Sequence, residues 1–137
     1  MVITATNEGD TVAVLGLAYK DNTPVVEESA GAKVAAALAA RGRSVIVHDP
    51  IADASHSRIL AGVPYTQARS VADAVAGARA VVLVGDDPAY DGVPGAPLAP
   101  GCVVIDCWRR LALASWPEGM RYVPLGVRLS ARTSVSG

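Results

Sequence analysis

Four short apolar runs constrain this chain more than any other feature: Val12 to Leu17, Ser44 to His48, Ala80 to Val84 and Cys102 to Asp106. Each has the length of a strand and is rich in β-branched residues, with no regular alternation of apolar and polar positions. A strand that is apolar on both faces has to be covered on both faces. The intervals carry helical signals. Ser29 can cap a helix running to about Arg41, in which Val34, Ala37, Leu38 and Arg41 lie three or four apart, and Gly42 stops it. Ser70-Val71-Ala72-Asp73 has the form of a capping box with Asp in place of Glu, and opens a second helix to about Gly77.

Strands that alternate with helices give a parallel sheet joined by right-handed crossovers. The expected fold is α/β: a Rossmann-like doubly wound parallel sheet, in a single domain of residues 11–126, with a lead-in at 1–10 and a tail at 127–137. The remaining elements read more weakly. Ala52 to Leu60 suits a short helix, Val63-Pro64-Tyr65 a minor strand, and Met120 to Pro124 a last edge strand. Gly85 to Pro100 is rich in proline and glycine and reads as a loop, with a turn of helix near Pro88 to Tyr90. Ligands of such sheets bind beyond the carboxyl ends of the strands, where the winding reverses. That rule nominates the loops after Leu17, Asp49, Val84 and Ile105.

Composition removes several function classes. A net charge of -1 offers no basic stripe for nucleic acid. The pairs Arg41/Arg43 and Arg109/Arg110 read as solvated surface groups. No apolar run reaches the length of a membrane-spanning helix, and Met1 to Asp10 has no apolar signal core. The expected location is cytoplasmic, with reduced thiols. Cys102 and Cys107 stand five positions apart, so on one strand they face opposite sides of the sheet and do not pair. No spacing for a metal site is present.

The loop Gly16-Leu17-Ala18-Tyr19-Lys20-Asp21-Asn22-Thr23 is the strongest site candidate. It follows a buried strand and leads to a helix start, where backbone N–H groups favour an anion. Lys20 can meet a phosphate or carboxylate there as a point charge. The loop is neither a G-x-G-x-x-G fingerprint, since Gly16 stands alone, nor a Walker A loop. Asp49 can accept a ribose hydroxyl or cap the turn before Pro50. Trp108 can stack on a base or fill the edge of the core. Asp106 ends the fourth strand and is a weaker candidate. His48 and His56 read as surface residues, and Asp86-Asp87 as a turn start before Pro88.

The stretch from Val12 to Lys20, then Asn22-Thr23, Val26-Glu27-Glu28-Ser29 and Val45 to Pro50, resembles the C-terminal, UDP-binding domain of the UDP-glucose/GDP-mannose dehydrogenases. Val81 to Tyr90 and Val103 to Trp108 resemble that domain's remaining strands and loops, so the resemblance covers about residues 10 to 126. It implies a UDP or UDP-sugar ligand, with Tyr19 and Lys20 in the nucleotide-sugar site, and Arg109, next to the place of a family arginine that contacts the UDP-sugar, is the candidate for a further phosphate contact. The sequence departs from the family at Pro24, Val25 and Glu27, where many members carry an acidic pair and an arginine. It departs again at Trp108, where many carry an arginine.

The resemblance further implies an NAD-dependent oxidation of a UDP-sugar by a longer enzyme. This chain contains neither an NAD fingerprint nor the glycine-rich segment that holds the family's cysteine nucleophile. The expectation is therefore a nucleotide-sugar-binding domain that is not catalytic alone. It binds no cofactor by itself, NAD being expected only with a separate NAD-binding domain, and pairs with a second copy or a partner dehydrogenase chain. Two alternatives remain open at this point. One is a small enzyme acting on a nucleotide through Lys20, Asp106, Cys107 or Arg109. The other is a ligand-free oligomerisation or regulatory module.

Overall fold

The computed structural model describes residues 6–17 and 29–125. Among them six strands form one all-parallel sheet: β1 (Thr11–Leu15), β2 (Ser44–His48), β3 (Thr66–Gln67), β4 (Ala80–Leu83), β5 (Val103–Asp106) and β6 (Arg121–Pro124). Their order across the sheet is β3-β2-β1-β4-β5-β6. This is the Rossmann-like doubly wound arrangement expected from the alternation of elements. Winding runs outward from β1 to β3, then returns to the centre and runs the other way from β4 to β6. The reversal puts β1 and β4 side by side, with Val12 opposite Ala80 and Leu15 opposite Leu83.

The two faces of the sheet have separate cores. Val12, Val14, Val45, Val47, Ala80 and Val82 point to one, which helix α1 (Ala30–Ala40) covers with Ala32, Ala35 and Leu38. Ala13, Leu15, Val81, Leu83 and Val104 point to the other, beneath Ala74 and Val75 of helix α2 (Val71–Val75) and Tyr90, Val93 and Leu111. The strands read as continuous apolar runs because successive residues enter different cores. Each fully buried Val or Leu contributes roughly 1.5–3 kcal/mol of transfer free energy. The central strands therefore anchor the fold. Cys102 lies in one core and Cys107 borders the other, both as free thiols, as the odd spacing requires.

Both α-helices among the described residues begin where their caps predict. Ser29 Oγ accepts from Ala32 N at 3.1 Å and Ser70 Oγ from Asp73 N at 3.0 Å. Gly42, at φ +83°, lies just past the end of α1. The stripe of α1 is Gly31, Ala32, Ala35 and Leu38, rotated from the expected one, and Ala37 is exposed. In a helix this rich in alanine the periodicity is too shallow to fix the face.

The connections differ more from expectation. Residues 52–60 form a 3-10 turn at Ala54–His56, not a helix. Asp53 Oδ1 takes Ser55 N, and Ser57 Oγ takes Leu60 N, so two side chains start two separate turns. The third strand begins at Thr66, beyond Pro64, which has no N–H for a ladder. Between β4 and β5, Pro88–Gly95 is one 3-10 segment with Pro88 in its first turn and Pro94 inside it. No helix among the described residues is long and apolar enough to cross a membrane.

Candidate functional site

At the carboxyl ends of β1 and β4 the backbones meet without side chains between them. Gly16 follows β1 at φ +110°, and a Cβ there would collide with the backbone N of Gly85. A Cβ on Gly31, in the first turn of α1, would collide with the carbonyl oxygen of Gly16. One on Gly85 would come within 3.1 Å of Gly16 Cα and 3.3 Å of the Tyr90 ring. Gly16 stands alone in the sequence, yet in space it is one of three glycines that let two strand ends and a helix start converge. Hydrogen bonds hold the junction: Gly16 N donates to His48 O at 2.8 Å, and Val84 N and Gly85 N both donate to Leu15 O. Helix α1 thus starts at the switch point, where its amino-terminal dipole favours an anion. Leu17 and Ser29, on either side of residues 18–28, are both buried. Tyr19 and Lys20 lie outside the described residues, as do Pro24, Val25 and Glu27.

The loop after β5 is wrapped around one carboxylate. Asp106 is wholly buried. Its Oδ1 accepts from Trp108 N at 3.1 Å, and its Oδ2 accepts from Leu111 N and from the Tyr122 hydroxyl, both at 2.7 Å. Burial and this hydrogen bond push the Tyr122 phenol well above its ordinary range. Asp106 thus holds its loop together from inside the protein. The tight turn that it holds puts Arg109 at φ +56°, the one non-glycine positive φ among the described residues. Arg109 is exposed, and its side chain makes no hydrogen bond or ion pair to a carboxylate among the described residues, its charge acting only on the Tyr122 phenol.

Its neighbour differs. Arg110 binds Asp91 through Nε at 2.8 Å and Nη2 at 3.3 Å, and Asp86 through Nη1 at 3.0 Å. Arg109 and Arg110 are thus not a surface pair, because one is a clamp between loops and the other is available. Arg43 is a clamp too, bonded to the Thr6 hydroxyl and carbonyl and to Arg41 O. Trp108 is 49 % exposed and belongs to neither core, contrary to a role at the core's edge. Its indole N–H donates to Val84 O at 2.6 Å.

Asp49 performs a similar service after β2. Its Oδ2 accepts from Leu17 N at 2.7 Å, and its Oδ1 accepts from Ile51 N at 2.9 Å and Ala52 N at 2.8 Å. The turn-capping reading holds, and the same carboxylate also ties β2 to the end of β1. Beside it, Ile51, Asp53, Gln67 and Arg69 line an open cleft of about 460 Å³. His48 is buried and not on the surface, since the ring at the end of β2 points toward the core of Leu15 and Tyr90. Its edge-on contact with Tyr90 has ring centres 6.1 Å apart, and its Nδ1 has no hydrogen-bond partner. Burial lowers its pKa, against opposing pulls from Asp49 and Asp87.

Neither cysteine is activated. Burial raises the Cys102 thiol to about 11, and burial followed by the charge of Asp106 raises that of Cys107. Both stay protonated near neutrality, where a nucleophile needs a thiolate. Asp87 begins the 3-10 segment by accepting from Ala89 N, and Asp86 is paired with Arg110. No group of three metal-ligating side chains occurs among the described residues.

Comparison with known proteins places this geometry. Residues 13–112 match the UDP binding domain of the UDP-glucose/GDP-mannose dehydrogenase family. A solved UDP-glucose dehydrogenase from the hyperthermophilic archaeon Pyrobaculum islandicum is similar at 31% identity and a TM-score of 0.65. The similarity covers 87% of this chain and 25% of that one, so the chain spans about a quarter of the solved enzyme's length. No curated protein matches.

Proposed function

The chain belongs to the UDP-glucose/GDP-mannose dehydrogenase family, as its UDP-binding domain, and we propose that it binds a UDP-sugar in the crevice between the carboxyl ends of β1 and β4. The observation that carries this reading is the glycine junction of Gly16, Gly31 and Gly85, which sets the start of α1 at the switch point of the sheet. Three sources of positive potential serve the diphosphate: the helix start, Lys20 in the loop that follows Leu17, and the available guanidinium of Arg109. A lysine acts as a point charge, whereas an arginine adds a planar fork of donors.

The parent reaction is an NAD-dependent oxidation of the sugar, and in this reading the chain supplies binding and orientation for it. Asp49, the acid that would meet a ribose in a dinucleotide site, is engaged with the backbone N–H groups of Leu17, Ile51 and Ala52. The cofactor and the nucleophile are assigned to another domain or a partner chain. A catalytic role for Cys107 has no support, since its thiol is shifted away from ionisation.

Calorimetric titration with UDP, UDP-glucose, UDP-glucuronate, GDP and NAD tests the assignment. The expected result is binding of the uridine diphosphates and not of NAD, with a loss of at least about tenfold in a Lys20→Ala variant, the size of one charge-assisted phosphate contact. A folded chain that binds none of the uridine compounds, or prefers NAD, contradicts it.

A further inference from the structure

We infer that Trp108 is the stacking platform for the nucleobase, and that it makes affinity depend on the presence of a base more than on which base it is. The inference rests on the nucleotide reading above and adds a residue and a kind of selectivity to it.

The two tryptophans of the chain have opposite fates. Trp116 is partly buried, packs on the core and stacks on Tyr122 with ring centres 5.3 Å apart and 21° between planes. Trp108 packs on neither core, and half of its surface is open. An exposed large aromatic side chain is ordinarily mobile, but this one is latched at both ends. Its backbone N–H is held by Asp106 Oδ1 and its indole N–H by Val84 O. Val84 adjoins Gly85, and Gly85 touches Gly16. The ring is therefore fixed across the ends of β4 and β5, one residue from the glycine junction.

A fixed indole loses little further freedom when a flat ring settles on it. With its one polar atom already bonded to Val84, it offers a π-face and no donor with which to read a base edge. Stacking of this kind tolerates every base, because every base has a π-face. The neighbouring Arg109 is placed on the same turn to meet the phosphates. The tight turn around Asp106 thus presents an aromatic group and a cation side by side, which is the pair that a nucleotide requires.

Titration of the wild type, Trp108→Ala and Trp108→Phe with UDP, GDP and inorganic pyrophosphate tests this, with thermal melts to show that each variant is folded. The alanine variant is expected to lose roughly 5- to 150-fold in affinity for UDP, the range of one base stack. It should lose as much for GDP and nothing for pyrophosphate, and the phenylalanine variant should keep most of the affinity. UDP should quench tryptophan emission in the wild type and not in Trp108→Phe, where Trp116 is the remaining emitter.

Equal weakening of UDP and pyrophosphate in Trp108→Ala would show a structural role and overturn the inference. Unchanged UDP affinity in that variant, or persistent quenching in Trp108→Phe, would overturn it while leaving the nucleotide reading intact. Failure of the wild type to bind any nucleotide would end both.

Discussion

Asp49 and Asp106 close two strands on opposite wings of the sheet, and each gathers backbone N–H groups on its carboxylate. The results differ. Asp49 is only partly buried, reaches back to Leu17 and borders an open cleft. Asp106 is fully buried, bonds a tyrosine as well, and bends its own loop until Arg109 enters the left-handed region. One loop fastens the sheet. The other uses the same chemistry to present Trp108 and Arg109 outward. The same carboxylate chemistry at the end of a parallel strand can thus either tie neighbouring strands together or shape the loop that follows.

The largest expected effect is on stability. Asp106→Ala strands the Leu111 N–H and the Tyr122 hydroxyl, and should cost roughly 3–5 kcal/mol. Asp49→Ala leaves its amides nearer to water and should cost roughly 1–2 kcal/mol. Urea denaturation of both variants would break the comparison if the two costs were equal or reversed.

The next effect concerns pH. The folded-state pKa of His48 is lowered by burial, so the unfolded chain binds the proton more readily. Its contribution to stability is complete above about pH 6.5, the unfolded value, and is lost as pH falls toward the folded value. The slope is about 1.4 kcal/mol per pH unit within that window. His48→Leu should flatten the dependence just below about pH 6.5. An unchanged slope would assign the titration elsewhere.

The smallest effect sharpens the contrast between the loops. Arg109→Gly relieves the positive φ and should raise stability by roughly 0.5–1 kcal/mol, while UDP affinity falls. Such opposite signs are the mark of a residue kept in strain for binding. A variant that loses stability would show that the turn is at ease with arginine.

Much of the fold was legible. Strands β1, β2, β4 and β5 are β-branched and apolar on both faces, so their position and parallel pairing follow from local pattern. Ser29 and Ser70 marked the helix starts for an equally local reason. The loops were less legible, because Asp53, Ser57 and Pro64 redirect the chain through bonds that periodicity does not record.

The site was legible only in part. The loop after β1 drew attention to Gly16, but Gly31 and Gly85 gave no signal because their contact with it spans distant parts of the chain. Trp108 and Trp116 are indistinguishable by residue type, and only the latch to Val84 separates them. Arg109 and Arg110 were likewise equal until Asp86 and Asp91 were found on one of them.

The most direct test of the central claim is a map of UDP binding by backbone and indole amide chemical shifts in the labelled chain. The account predicts that the largest changes fall on Gly16, Gly31, Gly85, Arg109 and the Trp108 indole N–H. Changes concentrated instead on Ile51, Ala52, Gln67 and Arg69, in the cleft beside Asp49, would contradict it and move the site to the other wing of the sheet.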